Sequence, residues 1–116
     1  METARETAKG LAEPAARLRK GIPEVYDGYG AMSRAAIADG ALSAKVKELI
    51  ALAIAATREC DGCIAAHARG AARQGATEAE VAEAMGVVIM MNGGPGTVWA
   101  PRALAAYREY APAEAQ

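Results

Sequence analysis

Ser43-Ala44-Lys45-Val46-Lys47-Glu48-Leu49-Ile50-Ala51-Leu52-Ala53-Ile54-Ala55-Ala56-Thr57-Arg58 decides the fold class. Ser43 suits a helix N-cap, because its hydroxyl accepts a bond from one of the first free backbone N–H groups. The interior from Leu49 to Ala56 is apolar on every side, and a helix with no polar face belongs at the centre of a molecule. Its eight apolar residues fall well short of the roughly 20 that cross a bilayer. The segment predicts a central core helix and no membrane span.

Outward from it, Ala, Leu, Glu, Lys and Arg fill the periodic segments and β-branched runs are scarce, so helix propensity outweighs strand propensity. The fold expected is all-α, a small bundle of about six helices. The first covers Ala4 to Lys20, disturbed at Pro14, and stops near Gly21-Ile22-Pro23. The second starts at Pro23 or Glu24, since Pro is favoured in a first turn, and ends about Ala38 before Asp39-Gly40 turns the chain. Beyond the central helix, the fourth begins near Cys60 or Asp61 and ends at Gln74, with Gly75 as its stop. Thr77 and Glu80 have the spacing of a capping box, which opens the fifth helix and carries it to about Met91. Asn92-Gly93-Gly94-Pro95-Gly96 breaks it. A last helix spans about Thr97 to Tyr110, irregular around Pro101, and Ala111 to Gln116 is expected to fray.

At 116 residues the chain reads as a single domain, 1–116, able to bury roughly two-thirds of the surface its unfolded form exposes. No internal repeat or linker divides it. Thirteen basic and fourteen acidic side chains give a formal net charge of -1, and without a basic run a nucleic-acid partner is not expected. The start, Met1-Glu2-Thr3-Ala4-Arg5-Glu6-Thr7, is polar and of mixed charge, unlike a secretory signal. A cytoplasmic protein is expected. The chain has no Phe and uses Ala heavily, which predicts a core of thin side chains that a single small subunit seldom fills well.

Both cysteines and the only histidine fall in Cys60-Asp61-Gly62-Cys63-Ile64-Ala65-Ala66-His67. Residues three and four apart share a helix face, so three reactive groups converge within two turns. In a reducing compartment a lone cysteine pair is more often catalytic or metal-binding than structural. A thiolate is the working species. Two features favour one here: the positive end of the fourth helix beside both cysteines, and His67, a base of the right kind one turn beyond Cys63. Zinc is the competing reading, although a structural zinc site wants four ligands and this cluster offers three.

Glu48 stands ten residues before Arg58, and His67 stands nine after it. Two antiparallel helices joined there bring the pair level to within one residue, a rise of about 1.5 Å. The count does not fix whether they face each other. Glu48 also adjoins the all-apolar stretch, where a carboxylate needs a partner; the plainer expectation is a surface pairing with Lys45 or Lys47.

With Glu48, Cys60, Cys63 and His67 at these spacings, the chain resembles the alkylhydroperoxidase D-like branch of the carboxymuconolactone decarboxylase superfamily. Gly75-Ala76-Thr77-Glu78-Ala79-Glu80 and Met91-Asn92-Gly93-Gly94-Pro95 are similar to stretches of its small members, and the likeness spans about residues 41 to 107. The resemblance implies an all-helical fold and thiol-dependent reduction of hydroperoxides or disulfides. It implies Cys63 as the thiol that attacks peroxide and becomes a sulfenic acid, Cys60 as the thiol that resolves it into a disulfide, and His67 with Glu48 as the proton relay. No metal or bound organic cofactor is implied; the electron donor would be a dithiol or lipoyl protein. Some peroxidases of the branch carry a histidine just before the second cysteine, where this chain has Gly62, so its relay is shorter. Small members form trimers or trimer-based hexamers, and a homotrimer or homohexamer is expected. Two other functions compete: an acid–base decarboxylase of the carboxymuconolactone type, which does without a cysteine pair, and a non-catalytic redox-sensing or metal-binding oligomer.

Overall fold

A computed structural model describes residues 1–115 and contains six α-helices: α1 (Ala4–Gly21), α2 (Pro23–Ile37), α3 (Ala44–Thr57), α4 (Asp61–Arg73), α5 (Glu78–Asn92) and α6 (Gly94–Tyr110). No strand occurs among the described residues. The caps read from the sequence are in place. Ser43 Oγ accepts from the Val46 N–H, and Thr77 and Glu80 exchange the two bonds of a capping box. A second capping box, Thr3 with Glu6, opens α1.

α3 packs against α4, α5 and α6, and these four helices supply nearly all of the core. Leu52 of α3, Val81 and Val88 of α5, and Tyr107 of α6 are its largest fully buried side chains; each aliphatic one contributes about 1.5–3 kcal/mol by leaving water. Alanines fill most of the rest, at 55, 56, 65, 68, 71, 100, 103 and 106. With so little side chain between them the backbones come close. At Gly96 a Cβ would stand 2.9 Å from the Ile89 Cα, so α5 and α6 meet there because glycine lets them. The Tyr107 hydroxyl, buried with its ring, donates to the Ala76 carbonyl and ties α6 to the α4–α5 turn.

α1 is docked by its own N-terminus. The Glu109 carboxylate of α6 accepts from the backbone N–H groups of Ala4 (2.7 Å) and Arg5 (3.1 Å), which sets an anion at the positive end of the helix. The Arg5 guanidinium stacks 4.4 Å from the Tyr110 ring centre. From that anchor α1 crosses α4.

Several expectations need correction. α6 starts at Gly94 and not at Thr97, because Gly93, at φ 65°, alone closes α5 and opens α6. Neither Pro14 nor Pro101 interrupts its helix; the carbonyls that lose a proline N–H partner belong to Gly10 and Thr97, both exposed residues. Ala113–Ala115 form a short 3-10 turn where fraying was expected, and Gln116 lies outside the described residues. α3 is central but not covered all round: Val46, Ile50 and Ile54, four apart, form an exposed apolar stripe. α2 has no buried residue at all. No helix of the described residues is long and apolar enough to cross a membrane.

Candidate functional site

The site grows from the turn between α3 and α4. Arg58 closes α3, Glu59 adopts φ 54°, and Cys60 caps α4. The Cys60 N–H reaches the Ala55 carbonyl and the Glu59 N–H reaches that of Ala56, both at 3.1 Å. These are the paired bonds of a Schellman motif, which fixes the chain's exit from a helix. The next helix ends the same way, with Gly75 at φ 81° and bonds from Gly75 to Ala72 and from Ala76 to Ala71. A connection this short and this bonded holds α3 and α4 antiparallel in one register.

That register brings Glu48 and His67 together. Glu48 Oε1 lies 2.8 Å from His67 Nδ1, with 11% of the Glu48 side chain and 33% of the His67 side chain exposed. An ionised carboxylate only accepts, so against it Nδ1 is the donor, and in a neutral ring so held Nε2 is the nitrogen with a free lone pair. The plainer reading of Glu48 does not hold: Lys45 reaches across to Glu80 of α5 at 2.8 Å, and the Lys47 ammonium donates to the Ala38 carbonyl.

Cys60 and Cys63 are joined as a disulfide. With His67 they line one side of a cleft of about 370 Å³ whose other side is Ala51, Ile54 and Ala55 of α3, together with Arg58. Cys60 Sγ is the N-cap acceptor, 3.3 Å from the Cys63 N–H, so the free backbone donors of α4 favour negative charge there. His67 stands one turn after Cys63 on the same face and lines the same cleft. Gly62 turns away towards α1, where a Cβ would stand 3.1 Å from Leu11 Cδ1.

All four residues singled out from the sequence, Glu48, Cys60, Cys63 and His67, meet at this cleft or directly behind it. Sequence reading missed two others. Arg58 brings a fixed cation to the cleft; its place beside the dithiol was visible, but the residue was read only as a helix end. Gly70 lies beneath the Glu48 carboxylate, and a Cβ there would overlap Glu48 Oε2 and Cδ. Its signal was a glycine inside an alanine-rich helix, where it costs about 1 kcal/mol against Ala. Among the described residues no group of three or more His, Cys, Asp and Glu side chains is arranged to hold a metal ion.

The sequence profile of the carboxymuconolactone decarboxylase family matches residues 23–106. An uncharacterized protein from Cupriavidus necator is 41% identical over 98 residues, which is 84% of this chain and 79% of that one. The uncharacterized protein 4 in the cox locus of Paracoccus denitrificans is 41% identical over 85 residues, 73% of this chain and 77% of its own. The apo crystal structure of a carboxymuconolactone decarboxylase family protein from Legionella pneumophila superposes with a TM-score of 0.89 at 37% identity, over 94% of this chain and 97% of that one.

Proposed function

The chain belongs to the carboxymuconolactone decarboxylase family, and from that membership and its dithiol cleft we propose that it is a thiol-dependent oxidoreductase of the alkylhydroperoxidase D type. The observation that carries this reading is the gathering of the Cys60–Cys63 pair and His67 at one cleft with an apolar wall, with Glu48 bonded to His67 from behind. Two adjacent thiols serve a two-electron reaction, and a buried carboxylate behind a histidine serves proton movement.

In the reduced protein, His67 Nε2 takes the Cys63 proton. The Cys63 thiolate attacks the terminal peroxide oxygen, the O–O bond breaks, and Cys63 becomes a sulfenic acid. The departing alkoxide takes the proton from His67 and leaves as an alcohol. Cys60 then attacks Cys63 Sγ, and the displaced hydroxide leaves as water with the Cys60 proton. The disulfide is the resting oxidised form. A dithiol or lipoyl donor returns it to two thiols and is itself oxidised to a disulfide. Arg58 adds a cation for an acidic group of either substrate. The exposed apolar residues of α2 and α3 support self-assembly, with three or six subunits taken from the family resemblance, and the role proposed is cytoplasmic antioxidant defence.

The test is steady-state turnover of an organic hydroperoxide with dihydrolipoamide. Turnover is expected in the wild type, with loss of both thiols on peroxide addition and recovery on adding donor. Cys63→Ser should abolish it, and His67→Ala should lower it about a hundredfold or more. An unchanged rate in Cys63→Ser overturns the reading.

One observation favours a second reading. The Glu48–His67 pair stands complete without the thiols, and a carboxylate–imidazole pair in an apolar cleft also suits acid–base decarboxylation. Decarboxylation of a carboxylated lactone that persists in a Cys60→Ser, Cys63→Ser double variant would favour it.

A further inference from the structure

We infer that Gly70 is a positioning residue for His67, acting through the Glu48 carboxylate; the inference rests on the relay described above and adds a residue to it. α4 offers alanine at 65, 66, 68, 71 and 72, and alanine is the better residue for a helix interior. At position 70 the chain instead has glycine, one turn beyond His67. The reason is steric. A Cβ at Gly70 would overlap Oε2 and Cδ of Glu48 and stand 3.1 Å from Oε1. The carboxylate therefore lies directly on the α4 backbone, and from there Oε1 reaches His67 Nδ1 at 2.8 Å.

Three other helical glycines differ, and Gly96 is close only to backbone. Gly10, Gly28 and Gly86 would each meet nothing within 4 Å if given a Cβ. Gly70 is occupied space, filled by the side chain that holds the histidine. Glu48 is buried on α3, so a methyl group at 70 leaves its carboxylate two courses. It turns off His67, or it is pressed into apolar surroundings without its partner, where an ionised group is costly. In both, Nδ1 loses its acceptor, the ring is no longer held in the orientation that Glu48 fixes beside the cleft, and the imidazolium formed on taking the Cys63 proton loses its counter-charge.

The experiment uses the reduced full-length protein and the variants Gly70→Ala, Glu48→Gln and the double variant. The readouts are the rate of Cys63 alkylation by iodoacetamide and the ring ¹H–¹⁵N signals of His67, which are unambiguous because it is the only histidine. Gly70→Ala should lower alkylation at neutral pH roughly tenfold to a hundredfold, the scale on which outer partners of a functional histidine act. It should remove the hydrogen-bonded Nδ1 proton signal, and it should add nothing to the effect of Glu48→Gln. A wild-type Nδ1 signal in Gly70→Ala overturns the inference, and so do effects that add in full.

Thermal melting keeps the test open if Gly70→Ala is poorly folded. Gly70→Ala should lower the melting temperature when Glu48 is present and raise it in a Glu48→Ala background, where nothing fills the space and only the helix preference for alanine remains. The same sign in both backgrounds overturns the inference. If Glu48→Gln leaves alkylation unchanged, the proton relay fails, while the Nδ1 signal and the melting reversal still decide the role of Gly70.

Discussion

Single backbone positions set the geometry of the dithiol. Glu59 and Gly75 occupy equivalent places in two Schellman turns, at φ 54° and φ 81°. Glycine is at ease there, whereas an L side chain in the left-handed region costs about 1–2 kcal/mol. Glu59 therefore holds a strained place next to Cys60. Replacing it by glycine removes that strain and adds some unfolded-state entropy, so Glu59→Gly should stabilise the reduced protein by about 0.5–1 kcal/mol, read as a higher denaturant midpoint. A lower midpoint would mean that the Glu59 side chain makes a contribution larger than its strain. The bonded turn also explains how much of the site was legible at this scale. Counting from Arg58 set Glu48 and His67 level, because helical rise is constant; whether they faced each other depended on the backbone angles of Glu59. Gly70 was visible as an oddity only. Its meaning needs the neighbouring helix.

At the scale of elements, local signals were read well and partners across the molecule were not. The Thr77–Glu80 capping box lies within four residues and was plain in the sequence; Lys45 of α3, 35 residues away, completes it by pairing with Glu80 at 2.8 Å. The bond from Lys45, then that from the Thr77 N–H, hold the Glu80 carboxyl below its ordinary value of 4.5. A carboxyl lowered on folding adds stability above its unfolded value, and that stability is lost as pH falls through the folded one. Glu80→Gln should therefore melt lower than wild type at neutral pH. The difference should shrink as pH falls below about 4.5 and vanish in stronger acid, checked by melts across the acid range; a constant difference would show that charge at Glu80 is irrelevant to the α3–α5 contact. The two internal prolines carry the same lesson. Propensity predicted a disturbance at Pro14 and an irregularity around Pro101, yet both helices run on through their prolines; an exposed turn tolerates a missing bond when the rest of the helix is anchored, as α1 is by Glu109.

The whole molecule leaves apolar surface that one chain does not cover. Val25, Tyr29 and Met32 of α2, Val46, Ile50 and Ile54 of α3, and Met90 and Met91 of α5 are exposed. Scattered exposed hydrophobes are normal, but apolar stripes on three helices are the mark of contact surface. Sedimentation equilibrium should give three or six times the 11.9 kDa chain mass, with Ile50→Glu and Met90→Glu lowering it; a wild-type protein that sediments as one chain would sink the assembly. From the sequence alone came the six helices, the Ser43 and Thr77–Glu80 caps, the central position of α3 and the clustering of the thiols and histidine on one helix, because these depend on spacing along a helix and on what each side chain can do. Only the tertiary structure decided which face Glu48 presents to α4, that Arg58 joins the dithiol cleft, that Leu11 covers Gly62 and that the carboxylate rests on Gly70. Those relations are set where two helices touch, and contact between surfaces distant in sequence leaves no periodic trace in either one.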